Sequence, residues 1–372
     1  MPDFADSAHI FANRLIRWQK KQGRHDLPWQ RTRDAYRVWL SEIMLQQTQV
    51  TTVISYYQRF LRRFPDVGTL AAAPVEAVLE AWAGLGYYAR ARHLHRCAGT
   101  LVAEHAGRFP REPARLAELP GIGRSTAAAI AVFAFGARAA ILDGNVKRIL
   151  ARHFGIEGFP GRADVEKALW ECSESLLPAT RVEAYTQGLM DLGATVCVRT
   201  HPSCDVCPVR AECVARRDGR QTDLPTPRPA KVLPEREARV LLLFDGRRVL
   251  LARRPPAGIW GGLLSLPELV GEDANEFARR HGLRLRFLRE LPAARHAFTH
   301  FRLTLRPCLY RVEDGTGRLG EPEWKWLATD GIDSAALPAP IFRLLRSEFG
   351  VDKNRGETAS PIRKLPRPHR GA

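Results

Sequence analysis

Four cysteines, Cys197-x6-Cys204-x2-Cys207-x5-Cys213, crowd into 17 residues and constrain this chain more than any other feature. The sequence has 372 residues and seven cysteines in all. An odd total, with four so close together, does not describe a disulfide framework. It reads as one soft-metal centre in a reducing compartment. Four thiolates can enclose a compact iron–sulfur core. The alternative is a structural zinc, which more commonly shows two C-x2-C pairs. Only Cys204 and Cys207 have that spacing, so the pattern favours a cluster and leaves zinc open.

Such a loop needs a scaffold, and residues 8–215 read as helical. Apolar positions recur at helical spacing: Phe11, Leu15 and Trp18, then Tyr36, Trp39, Leu40, Ile43, Val50, Ile54, Tyr57 and Leu61. Pro65, Pro74, Gly84, Gly86, Pro110 and Pro120 divide the stretch into short helices. Residues 216–236 hold four prolines among charges and predict a semi-rigid linker. From 237 to 350 the pattern is β-rich. Arg239–Phe244, Asp245-Gly246 and Arg247–Arg253 predict a hairpin, Glu272–His281 a helix and Phe301–Val312 a strand. Residues 351–372 predict a disordered basic tail. The expected architecture is therefore multi-domain, an all-α domain followed by an α+β domain.

The formal charge of +17 and a pI near 10.1 favour polyanionic partners through counterion release from phosphates. The N-terminus lacks the basic-then-apolar order of a signal peptide. The longest uncharged stretch, near Ser125–Ala137, is too short to span a bilayer. A cytoplasmic protein with no membrane partner is expected.

Two further constellations carry chemistry. Leu119-Pro-Gly-Ile-Gly-Arg-Ser-Thr126 places Gly121 and Gly123 in a tight turn ahead of an Ala-rich helix. Free amides at that helix N-terminus suit a DNA phosphate, although an ordinary capped turn would look the same. The other is a carboxylate pair. Glu42 sits at the edge of the apolar face in Ser41-Glu-Ile-Met-Leu-Gln-Gln-Thr48. Asp143 precedes the helical run in Ile141-Leu-Asp-Gly-Asn-Val-Lys-Arg148. Taken alone, Glu42 is as readily a solvated face-edge residue, and Asp143 is most simply a helix cap.

Together these motifs resemble the endonuclease III superfamily. Ser41–Gln49, Gly84-Leu-Gly-Tyr-Tyr-Ala-Arg90 and Leu142–Arg148 are similar to its adenine glycosylase branch, the MutY family, with resemblance running from about Ala8 to Glu348. The resemblance implies a helix-hairpin-helix glycosylase domain, a [4Fe–4S] cluster on Cys197, Cys204, Cys207 and Cys213, and a Nudix-like C-terminal domain. It also implies base excision repair by a monomer that removes adenine opposite 8-oxoguanine or guanine in duplex DNA. Glu42 would be the acid, Asp143 the stabiliser of the cationic sugar and Asn145 its hydrogen-bond partner. Trp29 and Gln187 would line the pocket for the extruded base. Ser125 stands where the family's lyases carry a nucleophilic Lys, which implies a monofunctional enzyme. Gln47, Leu85 and Tyr87 match positions that wedge into the base stack. Phe298, Thr299 and His300 match the segment that reads 8-oxoguanine, with Thr in place of the usual Ser. Glu276-Phe-Ala-Arg-Arg280 does not supply the metal-binding glutamates of true Nudix hydrolases, so that domain is expected to recognise rather than catalyse. A glycosylase/lyase acting on oxidised pyrimidines, a Nudix hydrolase and a non-catalytic DNA-binding module are the competing readings.

Overall fold

The breakers of the N-terminal half fall where its helices stop. In the computed structural model α1 spans Phe4–Gln22, α2 Ala35–Leu45, α3 Val50–Arg63, α4 Val67–Ala72, α5 Val75–Ala81 and α6 Ala89–His105. They are followed by α7 (Pro113–Ala117), α8 (Arg124–Phe135), α9 (Gly144–Phe154), α10 (Ala163–Ser175), α11 (Val182–Thr195) and α12 (Val214–Arg217). The structure describes residues 4–229, 232–255, 258–314 and 323–350. The tail read as disordered lies outside them.

The chain divides into two compact units. The first, Met1–Pro234 with Arg254–Leu263, is the helical one. Much of its core gathers on α9 and α11: Leu15 and Ile16 of α1, Val146 and Leu150 of α9, and Leu189 and Leu192 of α11 are all buried together. Each such side chain contributes about 1.5–3 kcal/mol of transfer free energy. Asp34 caps α2 by accepting from the Arg37 amide, and Asp143 caps α9 by accepting from the Val146 amide.

The stretch read as a linker is anchored to the helical unit near its middle. Leu224 is 1% exposed, its carbonyl accepts from Arg152 Nε at 2.7 Å, and Thr226 Oγ1 accepts from the Gly158 amide at 3.0 Å. A single buried leucine has no period, so the sequence could not announce this docking.

The second unit, Glu235–Arg253 with Leu264–Ala372, is built on a mixed sheet. Its strands are β1 (Glu235–Phe244), β2 (Arg248–Arg253), β3 (Leu264–Ser265), β4 (Glu268–Leu269), β5 (Arg284–Glu290), β6 (Ala294–Ala297), β7 (Arg302–Asp314) and β8 (Trp324–Ala328). Two helices, α13 (Ala274–His281) and α14 (Ala339–Phe349), complete it. The hairpin forms as expected, with Leu243 opposite Leu250 and Phe244 opposite Val249. Asp245 Oδ1 closes its turn by accepting from the amides of Arg247 and Arg248. β1 runs parallel to β7 over its whole length. Val240 to Leu243 are buried in succession, so this part of β1 is covered on both faces; Phe277 of α13 covers the side of Leu241 and Leu243.

Candidate active site and DNA interface

The N-terminal end of α9, the C-terminal end of α2 and one face of α11 converge on a cleft of about 1310 Å³. Trp29, Glu42, Gln47, Ser125, Asp143, Asn145 and Gln187, distant in sequence, all line it. The other expected DNA contacts, Leu85, Tyr87, Gly121 and Gly123, lie outside its lining. Trp29 is buried edge-on against Tyr57, with ring centres 5.5 Å apart.

Glu42 and Asp143 are electrostatically unequal. Burial pushes the Glu42 carboxyl up to about 8, and the nearby charge of Asp143 pushes the same way. Burial raises Asp143 as well. There the amides of Val146 and Asn145, the Arg148 guanidinium and the Asn145 side chain all pull it back. The Asn145 amide approaches Asp143 Oδ2 at 3.5 Å. Both carboxyls are thus raised, Glu42 by burial and by the Asp143 charge, Asp143 by burial against the pull of its hydrogen-bond donors.

Ser125 has a visible task. Its Oγ accepts the Leu142 amide at 2.9 Å, tying α8 to the residue just before Asp143. The hairpin ahead of it folds as its glycines require. Leu119 and Ile122 are buried anchors, and Gly121 has φ +79°. A Cβ there would sit 2.6 Å from His93 Cβ, so no other residue fits. Gly123 caps α8 without any side-chain hydrogen bond, which leaves the first amides of that helix for an outside acceptor.

Gln47 and Tyr87 are both exposed and both in the left-handed region, with φ of 57° and 48°. Such backbone costs about 1–3 kcal/mol per residue and persists only where its surroundings enforce it. The enforcing residue is Arg90, which sequence reasoning passed over. One guanidinium nitrogen donates to the carbonyls of Ile43, Met44 and Gln46 at the end of α2. The other reaches Thr48 Oγ1 at 3.1 Å and the carbonyls of Leu85 and Gly86 at 3.3 Å. Leu85 itself is 6% exposed and packs inward, unlike its expected partners in the wedge.

The four cysteines do meet. Cys197, Cys204, Cys207 and Cys213 line one cavity of about 30 Å³, walled by Ile149, Arg152 and Leu192. No three of the described His, Cys, Asp or Glu side chains converge as ligands of a single ion would. Burial pushes the Cys207 thiol up to about 12, and the other three thiols add to the rise. Four thiolates thus need a cationic centre to offset their charge, and the donor set fits a thiolate-bound cluster. Arg148 and Arg152, one and two turns beyond Asp143, hold the loop. Arg148 Nε donates to the Cys197 carbonyl at 2.7 Å, and Arg152 donates to the carbonyls of Val198 and Arg199 at 2.7 and 3.0 Å.

In the second unit Phe298 stacks on Phe301 at 4.6 Å, and its amide donates to the Phe301 carbonyl. Thr299 and His300 are exposed at the tip of this turn, with Oγ1 and Nδ1 3.4 Å apart. Glu276 is engaged in a capping box, its Oε2 accepting the Asp273 amide at 2.9 Å.

Residues 40–175 match the HhH-GPD superfamily of base excision DNA repair proteins, and residues 239–347 match the NUDIX domain. The adenine DNA glycosylase of Buchnera aphidicola (subspecies Acyrthosiphon pisum) is 34% identical over 341 residues, 91% of this chain and 97% of that one. The adenine DNA glycosylase of Homo sapiens is 33% identical, covering 98% of this chain and 80% of its own length. Among solved structures, a thermostable thymine-DNA glycosylase aligns with 57% of this chain and 98% of its own, at 29% identity and a TM-score of 0.52. A trapped endonuclease III–DNA complex has the same fold at 19% identity and a TM-score of 0.51, covering 59% of this chain and 99% of its own. Among the described residues no helix is long and apolar enough to cross a membrane. Similarity of this extent, with both domain signatures in order along the chain, establishes that it belongs to the adenine DNA glycosylase family, hydrolases of base excision repair that act on DNA.

Proposed function

We propose that this glycosylase removes adenine paired with 8-oxoguanine, or with guanine, and that Glu42 and Asp143 carry the chemistry. The observation behind this is two carboxyls in one cleft, Glu42 raised by burial to about 8 and Asp143 ringed by hydrogen-bond donors that oppose its own rise. Adenine leaves as an anion only with difficulty, so the departing base must gain a proton. Glu42 donates it as the C–N bond breaks, and the resulting carboxylate then draws a proton from the attacking water. The sugar becomes oxocarbenium-like, and the Asp143 carboxylate faces that charge. Asn145 steadies Asp143, and Trp29 supplies a flat wall for the base.

Extrusion of the base leaves a gap in the stack. Gln47 and Tyr87, exposed on the two turns braced by Arg90, are placed to fill it. The open amides at the start of α8 bind backbone phosphate, which gives affinity without sequence readout. Cys197, Cys204, Cys207 and Cys213 hold a [4Fe–4S] cluster. When bound, it supplies a rigid cross-link of the 197–213 loop, which Arg148 and Arg152 clamp to the helix that Asp143 caps. The turn at Phe298–His300 offers an aromatic ring, a hydroxyl and an imidazole for the base opposite adenine. With Glu276 engaged in capping, recognition is the role of this second unit.

The test is a substrate panel at fixed salt: duplexes with adenine opposite 8-oxoguanine, adenine opposite guanine, or oxidised pyrimidines, and free 8-oxo-dGTP. Base release from the first two alone is expected. Release of oxidised pyrimidines with strand nicking, or hydrolysis of the nucleotide, would reject the assignment.

A further inference from the structure

Asp191 is fully buried in the helical unit, yet it belongs neither to the carboxylate pair nor to the cysteine loop. It lies on α11 one turn after Gln187. Its carboxylate is held by two residues. Arg24 donates its main-chain N–H to Oδ2 at 3.0 Å and its Nε–H to Oδ1 at 2.7 Å. The backbone can come this near because residue 23 is glycine: a Cβ there would lie 2.9 Å from Oδ2. Gln187 donates from Nε2 to the same Oδ1 at 2.9 Å. Arg24, Trp29 and Gln187 all line the cleft, with Asp191 behind them.

A side-chain amide can turn over with almost no change in shape, exchanging a donor for an acceptor. A carboxylate paired with a guanidinium only accepts, so only the NH2 end of Gln187 can face it. That leaves the amide oxygen as the end offered to the cleft. We infer that Asp191 is a positioning residue for base selection: by holding the Gln187 amino group, it fixes a hydrogen-bond acceptor where the extruded base must dock. An acceptor there pairs with an exocyclic amine, as in adenine, and opposes an exocyclic carbonyl, as in hypoxanthine. This deepens the adenine reading and rests on it. Sites built around one polar partner discriminate strongly because a mismatched base leaves buried groups unpaired.

The experiment compares single-turnover release of adenine and of hypoxanthine, each opposite 8-oxoguanine, in the full-length protein. Wild type should favour adenine. In Asp191→Asn the amide of Gln187 is free to turn, and the adenine-to-hypoxanthine ratio should fall about tenfold, the worth of one hydrogen bond at the upper end of its range. Thermal unfolding shows that the variant is folded. The double variant Asp191→Asn/Gln187→Glu keeps one negative charge near Arg24, and a carboxylate at 187 presents only acceptors to the cleft whichever way the new amide turns. It should restore the ratio, whereas Gln187→Ala should keep it low. An unchanged ratio in folded Asp191→Asn overturns the inference. So does a double variant whose ratio is as low as that of Gln187→Ala, a comparison that stands even if the single variant fails to fold. A wild type that releases neither base would instead overturn the adenine reading itself.

Discussion

Replacing Glu42 with Gln should make the protein inactive and, above neutral pH, more stable. Gln matches the carboxyl in size and stays uncharged, so the substitution removes a titration and little else. Glu42 is raised in the folded protein from 4.5 to about 8. Between those values the native state binds more protons than the unfolded chain, so stability falls as pH rises. Any contribution from this group is complete below 4.5 and lost as pH climbs through 8. At about 1.4 kcal/mol per pKa unit the interval sets a ceiling of about 5 kcal/mol at pH 8. The side chain is only half-buried, and solvent screening brings the expectation to about 2–3 kcal/mol. For a unit of this size that amounts to about 4–12 °C in Tm. The assay is thermal unfolding of wild type and Glu42→Gln at matched salt from pH 5 to pH 8. The two should melt together at pH 5 and diverge steadily, with the variant higher at pH 8. Single-turnover excision by the variant should fall on the order of 10²–10⁴-fold while duplex binding persists. A Tm difference that is flat across the range would show that Glu42 is not held protonated, and its assignment as the acid would go with it.

Three further outcomes are expected. In Asp143→Asn the side-chain oxygen can still cap α9, so folding and duplex binding should survive while single-turnover excision falls at least about 10²-fold; excision near the wild-type rate would return Asp143 to being only a cap. Anaerobically purified protein should carry about four irons per chain, and Cys207→Ser should lower both iron content and Tm; stoichiometric zinc with negligible iron would reject the cluster. Thr299→Ala combined with His300→Ala should reduce the preference for adenine opposite 8-oxoguanine over adenine opposite guanine by about 2–13-fold per lost hydrogen bond. Retention of the parent preference would move lesion reading to the helical unit, with Gln47 and Tyr87 as the next candidates.

What the sequence disclosed about the fold follows from the range of each signal. The helix breakers, the hairpin at Asp245-Gly246 and the Leu-Pro-Gly-Ile-Gly turn are local, and each appears where its own residues dictate. Burial of Leu224 is not local: it depends on Arg152, 72 residues earlier, donating to its carbonyl. The site divides the same way. Glu42 alone could be a solvated face-edge residue, and Asp143 alone is the cap of α9, which it indeed is. The pair becomes a candidate acid and anion only in the folded cleft, where burial raises Glu42 to about 8 and surrounding donors oppose the rise of Asp143. Arg90 ends the Gly84–Arg90 motif, yet nothing in its spacing tells that one guanidinium braces two strained turns.

The helix α9 shows how capping and the proposed catalytic role are compatible at Asp143. A cap accepts amide protons at the positive end of the helix dipole, and that same environment favours the ionised carboxylate. The amides that start the helix thus oppose the rise that burial imposes on the Asp143 carboxyl. Farther along, Arg148 donates to Asn145 Oδ1 at 2.7 Å and to the carbonyls of Gly193 and Cys197. Asn145 in turn reaches Asp143. The cysteine loop is therefore two side chains away from the Asp143 carboxylate. A disturbed loop would release Arg148 and then Asn145, and so weaken two of the groups that draw the Asp143 carboxyl back down. On this view Cys207→Ser should blunt excision even where folded protein is recovered, and Arg148→Ala, which leaves all four cysteines in place, should blunt it in the same way. Full single-turnover activity in folded Arg148→Ala would break the chain at its middle link and confine the cysteine loop to stability and DNA contact.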